Sequence, residues 1–497
     1  MLRFARMCEA VTATTKKLEK TALVSDYLRS LAVNEAAVAA VFLSGRPFPS
    51  YEEATLQVGG AILWRIIAEL SGKSEPELTE IYRRHGDAGA VAGEALPERS
   101  SGGLSLSEVR RTFAGIAAAR GPGPKVHLLR QLLDRAQPLE AKYIVKIISG
   151  DLRIGLKESL VEEAIARAYE APLDSVKRTN MLLGDIGETL QLASAGKLAE
   201  AHLRLFHPVD FMLASPVESP EEALRYFQNA TVEDKYDGIR AQAHISQGEV
   251  RLFSRTRDEI TESFPELPVA LSGLPKDSVL DGEIVAWSGS KTPGGEGRAE
   301  PFSKLQQRLG RKKVSLKLLD EVPVAYLLFD VLYFDGELLL DRPLRERAQV
   351  LADLLAAPRI AMVRSTHAQA SLAFDDVETR PTAAVLRAPE SRASSPDDLE
   401  ALFLAARARG NEGLVIKDLD SPYTPGRRGK SWLKMKRELA TLDVVVTAVE
   451  YGHGKRIGVL SDYTFAVWDG DRLVNIGKAY SGLTDAEIGR ASCRERV

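Results

Sequence analysis

The chain has 497 residues, 44% hydrophobic and 27% charged, with a net charge of -3. That length allows two or three domains with ordinary cores and excludes a disordered or fibrous protein, and the charge does not announce a nucleic-acid binder. Its two cysteines, Cys8 and Cys493, are too few for a disulfide framework, lack zinc-ligand spacing and are not expected to do chemistry.

The opening MLRFARMCEAVTATTKKLEK mixes charged and apolar groups at helical spacing, with no apolar signal core. No later run is long and apolar enough to span a bilayer, so a soluble, cytoplasmic protein is expected. Up to about Leu205 the hydrophobic period is helical, as in AKYIVKIISGDLRIGLKESLVEEAIARAYE (141–170), and predicts an all-α domain over 1–205. The polar break GDAGAVAGEALPERSSGGLS (86–105) reads as a loop joining two halves of it.

Prolines in 206–223 then interrupt the helical spacing, and short β-rich runs come after them: AQAHI, EVRLFSR, SVLDGEIVAW and VPVAYLLFDVLYF. They predict a mixed α/β domain over 206–438, with SGSKTPGGEGR (288–298) as a surface loop and 375–398 as a helix-to-strand connection. Past Leu439, LDVVVTAVEYG and YTFAVWDGDRLVNIGKAYSG alternate like strands around a turn at Asp469-Gly470, the opening of a small β-barrel over 439–487. The last ten residues, IGRASCRERV, continue no earlier pattern. One codon choice for them resembles a common sequencing-adapter strand, so 488–497 are expected to be non-native and the natural chain cut off near Glu487.

Two basic stretches stand out, SKLQQRLGRKKVSLK (303–317) and RRGKSWLKMKR (427–437), although one such run is more often a solvated face. The chemistry gathers around VEDKYDGIRAQAH, Val232 to His244. Lys-x-Asp-Gly alone would arise by chance in about one such chain in ten, and a salt-bridged surface lysine would explain it. Its weight comes from five stretches downstream of it, in this order: SRTRDEIT (254–261), LDGEIVAW (280–287), LLFDVLYFDG (327–336), NEGLVIKD (411–418) and SWLKMKR (431–437).

This ordered set resembles the covalent nucleotidyltransferases, and specifically the ATP-dependent DNA ligases. YIVKIISGDLRIGLKESLVEEAIA resembles the helical DNA-binding domain that precedes the catalytic core in the larger members. The likeness therefore runs nearly the length of the chain. Capping enzymes and RNA ligases share the core motifs but not that domain.

The resemblance implies an all-α N-terminal domain, an α/β (ATP-grasp-like) nucleotidyltransferase domain and a partial OB-fold β-barrel. It implies that Lys235 attacks the α-phosphate of ATP, expels pyrophosphate and holds AMP as a phosphoramidate, with Mg²⁺ or Mn²⁺ as cofactor. AMP then passes to the 5′-phosphate of a nick, and the 3′-hydroxyl displaces it. An amine of ordinary pKa, about 10.4, is protonated at neutral pH and needs desolvation or nearby positive charge to attack phosphorus. Arg240, Lys434 and Lys436 are the candidates to supply that charge.

By position in the motifs, Lys434 and Lys436 match α-phosphate contacts, and Lys417 and Arg428 match further nucleotide contacts. Glu283 and Glu412 match acids near the ribose and the metal. Each should meet a cation or a ligand hydroxyl, since a carboxylate is costly to bury unpaired. Phe329 matches the aromatic stacked on adenine and Glu233 a group near adenine N6. Arg240 and Arg255 match residues near the sugar and the nick phosphate. In SGDLRIGLKES, Arg153, Gly155 and Lys157 are candidates for sequence-independent contacts to the DNA backbone.

The departure from the family lies at the end: nothing after Leu439 matches its basic C-terminal motif. Sealing of a pre-adenylated nick is therefore expected to survive better than reaction from ATP. The expected partner is nicked double-stranded DNA, the expected state a monomer, and no protein partner is implied. Competing readings are an RNA ligase or capping-type guanylyltransferase, favoured by competition from GTP or by preference for an RNA end, and a non-catalytic nick-binding protein, favoured by DNA binding without AMP labelling. NAD as adenylate donor is disfavoured, because neither a nicotinamide-binding domain nor a zinc cluster is seen.

Overall fold

A computed structural model describes residues 1–52, 54–98, 103–227, 229–274, 276–289, 297–311, 313–356, 383–437, 442–451 and 460–479. The chain forms two compact units, Leu203–Leu439 and a second made of Met1–His202 with Ala440–Val497. Among the described residues no helix is long and apolar enough to cross a membrane.

Twelve α-helices are described between Leu2 and Ser194. Past a first turn that carries the exposed Asn34 and the half-buried Glu35, the helix Val33–Leu43 is apolar on every side, and with every side chain from Ala36 to Leu43 buried it runs into the bundle interior. Around it Phe4, Phe42, Phe113 and Tyr143 meet edge to face, an arrangement that aromatic quadrupoles favour. The break at 86–105 is not all loop: Ala88–Ala95 is a helix, capped by the Asp87 carboxylate on the Gly89 and Ala90 amides. Its glycines lower helix propensity, but they permit close packing. A Cβ at Gly89 would lie 2.5 Å from the Lys142 carbonyl, so tertiary contact with the helix Pro138–Ile148 outweighs the local preference.

In Leu203–Leu439 the strands are β1 (Leu213–Val217), β2 (Ala230–Lys235), β3 (Ile239–Ser246), β4 (Glu249–Ser254), β5 (Ser278–Ser288) and β6 (Arg298–Ala299). They continue with β7 (Val324–Phe334), β8 (Glu337–Leu338), β9 (Ala384–Arg387), β10 (Glu390–Ser391), β11 (Gly413–Asp418) and β12 (Arg428–Met435). One sheet runs β1-β12-β11-β2-β10, with only the β1–β12 pair parallel. The other runs β4-β3-β5-β7-β8, with β6 paired to β5 and β9 parallel to β7.

The β-rich runs read from sequence fall on β3, β4, β5 and β7. The described part of 375–398 differs from a plain connection, because it contributes β9 and β10; residues 375–382, and 290–296 of the expected surface loop, lie outside the described residues. The basic run 303–317 is not simply solvated either. Arg308 is buried against Glu266 at 2.6 Å and over the Phe264 ring.

In the other unit, β13 (Val445–Tyr451), β14 (Leu460–Asp469) and β15 (Arg472–Ala479) form a small antiparallel sheet. Asp469 pairs with Arg472, so Gly470 and Asp471 form the turn, one residue beyond the expected position. Gly470 supplies the positive φ that such a two-residue hairpin requires. Residues 480–497, including Cys493, lie outside the described residues.

Candidate active site

A cavity of about 520 Å³ in the unit Leu203–Leu439 is lined from both sheets. Glu233, Lys235, Arg240, Arg255, Glu283, Phe329, Glu412, Lys417, Arg428, Lys434 and Lys436 all line it, so the structure brings together every residue singled out in this part of the sequence. Strand alternation explains much of the convergence. Glu233 and Lys235 share one face of β2, Trp432 and Lys434 share one face of β12, and Lys436 comes next in the same alternation.

Lys235 ends β2 opposite Gly413, the first residue of β11. A Cβ at Gly413 would come within 2.2 Å of the Met435 carbonyl, so only glycine lets the three strands close up here. The Glu412 amide donates to the Lys235 carbonyl at 2.8 Å, and the Lys235 ammonium donates to the Glu412 carboxylate. Lys436 lies 3.9 Å from the same carboxylate. Burial pushes the Glu412 carboxyl up, but the hydrogen bond from Lys235 and the charges of Lys235 and Lys436 outweigh it and hold the group below its ordinary range. Burial raises the neighbouring Asp237 carboxyl, and the Glu412 charge adds to that.

Cations crowd one side of the cavity. Lys434 is held below the usual lysine range by burial and then by Arg428, Lys235, Lys436 and Arg255. Such a cluster repels itself unless negative charge enters, which makes it an anion site. On the opposite strands Glu283 pairs in register with Arg240, and burial pushes its carboxyl up to about 8 against the pull of Arg240 and Lys235.

Two of the expected ligand contacts are engaged with protein groups. The Arg240 guanidinium grips Asp281 at 3.2 and 2.8 Å, donates to the Met212 carbonyl at 2.6 Å and lies over the rings of Phe211, Phe329 and Trp432. Tyr423 donates to the same Asp281 at 2.7 Å. Lys417, 1% exposed, spans both oxygens of Glu233 at 2.7 Å and sits 4.2 Å above the Phe329 ring and 4.5 Å above Trp432. Even so, burial, with Glu390 and Asp330 adding to it, raises the Glu233 carboxyl to about 7.

Sequence reasoning assigned no role to Trp432, Asp281 or Tyr423. Counting down by twos from Lys436 and Lys434 reaches Trp432, and Asp281 stands two residues before Glu283, so both had an alternation signal. Tyr423 had none. In the helical unit, Arg153, Gly155 and Lys157 are exposed on the connection before the helix Glu158–Ala168. Arg153 is partly engaged, donating to Asp151 and to the Gly86 carbonyl.

Comparison with known proteins adds to this geometry. Residues 211–436 match the family model described as ATP dependent DNA ligase domain, and residues 1–166 match that described as DNA ligase N terminus. The chain is 58% identical over 494 residues to a probable DNA ligase of Koribacter versatilis (strain Ellin345), covering 98% of this chain and 84% of that protein. It is 35% identical over 499 residues to a DNA ligase of Methanothrix thermoacetophila, covering 97% of this chain and 84% of the relative. Among solved structures, Pmar-Lig_PreS3 matches with a TM-score of 0.58 at 16% identity over 99% of this chain and 91% of that one, a likeness of fold alone.

Proposed function

The chain belongs to the ATP-dependent DNA ligases, and we propose that the cavity around Lys235 is where it takes AMP from ATP. The observation that carries the reading is the Lys235 ammonium paired to Glu412 among Lys434, Lys436, Arg428 and Arg255. The cluster binds the triphosphate and draws off its charge as the bond order at phosphorus changes, which is most of what phosphoryl transfer asks of a protein. The Lys235 nitrogen forms a bond to the α-phosphorus, the bond to the bridging oxygen breaks, and pyrophosphate leaves with that electron pair. Lys235 enters as an ammonium, so it sheds one proton before it attacks and a second as the phosphoramidate forms, and Glu412, which accepts its hydrogen bond, is the nearest group to relay them to solvent. The nick 5′-phosphate then displaces the lysine from AMP, and the 3′-hydroxyl displaces AMP to seal the strand.

The adenine lies against Phe329 at the cavity wall, with the Glu233 carboxyl, which Lys417 holds, at its edge. Arg240, fixed by Asp281 and Tyr423, is a rigid wall beside the sugar, and Arg255 is left for the nick phosphate. Glu283 and Glu412 would hold Mg²⁺ or Mn²⁺. A carboxyl desolvated to about 8 recovers its charge when a cation arrives, and Mg²⁺ commonly takes one or two carboxylates with phosphates and water completing its shell. Among the described residues no cluster of three or more acids, histidines or cysteines is poised to hold a metal alone, which fits a metal shared with phosphates. A bound divalent ion supplies charge neutralisation at the phosphoryl oxygens.

The division into 1–205 for DNA, 206–438 for adenylation and an OB-fold domain from 439 belongs to the same reading, as does an ATP-grasp-like core. The hairpin β14–β15 supports the OB assignment. A cytoplasmic monomer working on nicked duplex completes it. The test is sealing of a labelled nick with ATP and Mg²⁺, with Lys235→Ala abolishing adenylation but not joining of a pre-adenylated nick.

A further inference from the structure

Residues 149–157 join the helices Pro138–Ile148 and Glu158–Ala168. Leu152 and Ile154 are buried, while Asp151, Arg153, Gly155 and Lys157 alternate with them on the surface. Gly150, Arg153 and Gly155 take positive φ, 75°, 51° and 62°, a path that a non-glycine chain rarely adopts unaided. Something must hold it there.

Two buried lysines lie beneath the loop. Lys20, from the helix Lys17–Arg29, donates to the carbonyls of Ile154 at 2.6 Å and Gly155 at 3.2 Å. Lys146 donates to the Leu152 carbonyl at 3.0 Å and pairs with Asp87. Both are nearly excluded from solvent, which is rare for lysine without a pressing role. Among the described residues Lys20 has no carboxylate partner, only carbonyls. An apolar side chain would fill its site without the penalty of desolvating an ammonium, so stability alone does not account for it. The loop is shaped to admit it: a Cβ at Gly155 would lie 2.8 Å from the Lys20 nitrogen.

We propose that Lys20 and Lys146 are positioning residues for DNA binding. They draw the carbonyls of Leu152, Ile154 and Gly155 inward and so lock the loop in the one path that presents Arg153 and Lys157 to the sugar-phosphate backbone. Neither lysine touches DNA. The inference rests on the reading of Arg153 and Lys157 as DNA contacts.

The test uses the full chain and a fluorescent, pre-adenylated nicked duplex, with anisotropy measured over a salt series and self-adenylation as the internal reference. Lys20→Met weakens binding about tenfold and lowers the slope of log K against log salt by about 1 to 2, as for the loss of one or two phosphate contacts. Self-adenylation, which uses groups of the other unit, stays at its parent rate. A merely structural role lowers the melting temperature and leaves the slope of the folded protein unchanged. Should Lys20→Met fail to fold, Lys146→Met carries the test, because it removes the other buried donor to the loop, at the Leu152 carbonyl. A folded variant with parent affinity and slope, while Arg153→Ala binds weakly, overturns the proposal. Parent affinity in both Arg153→Ala and Lys157→Ala instead removes the DNA-contact reading beneath it.

Discussion

Replacing Lys417 by methionine tests how the adenine side of the cavity is held. Lys417 bonds both oxygens of Glu233, and the two side chains are 1% and 5% exposed, so removing the cation strands a buried carboxyl. Breaking such a pair costs about 3–5 kcal/mol when the remaining charge persists. Here the charge can leave. Burial already raises Glu233 from 4.5 to about 7, and a carboxyl raised in this way contributes stability that is present below about pH 4.5 and lost as pH climbs through 7. Without Lys417 the carboxyl titrates higher still. Between about pH 7 and 8.5 only the variant then keeps its proton, at about 1.4 kcal/mol per pH unit relative to the parent. The deficit of Lys417→Met is therefore about 2 kcal/mol larger near pH 8.5 than near pH 5.5. Urea unfolding of the full chain, with hydrogen exchange reporting the amides of β2 and β11, measures it. A deficit independent of pH, or one that grows toward acid, would refute the reasoning.

The same geometry leads to three further outcomes. Arg347, buried on Asp330 at 2.7 and 2.9 Å, should destabilise the unit by about 3–5 kcal/mol as Arg347→Met, and by much less in the double variant with Asp330→Leu, as read by a double-mutant cycle in urea. Glu283 is raised from 4.5 to about 8, so its stabilising contribution is lost as pH rises through 8; metal-free Glu283→Gln should lose less stability than the parent between about pH 5 and 9, and parallel melting curves would exclude this. Phe329→Ala removes the ring that meets Trp432 at 6.0 Å and Lys417 at 4.2 Å, and should raise the KM for ATP in self-adenylation about tenfold or more, with folding retained by circular dichroism.

Periodicity and motif order reached far into this molecule, for physical reasons. Motif order, through the resemblance it carries, named Lys235, Glu283, Phe329 and Lys434 before any coordinates, and strand alternation explains how neighbours such as Glu233 and Lys235 reach the same cavity. What local sequence could not supply is which side chain holds which. Nothing near Lys417 says that its ammonium is taken by Glu233, or that Arg240 is fixed by Asp281 and Tyr423, because those partners meet only when the sheets pair. The helix Ala88–Ala95 was hidden for a related reason: its glycines read as loop, and the closeness they permit to Pro138–Ile148 is a tertiary fact. Nothing in the local sequence marks Lys20 and Lys146 as buried, because the 149–157 carbonyls they donate to are brought to them only by tertiary folding.

The most direct measurement incubates the chain with α-labelled ATP and Mg²⁺ beside Lys235→Ala, denatures both, and maps any retained label by peptide. The account predicts label on the parent chain, acid-labile as a phosphoramidate and confined to the peptide carrying Lys235, with none on the variant. Equal labelling of Lys235→Ala, label on another residue, or a parent chain that takes none would contradict it.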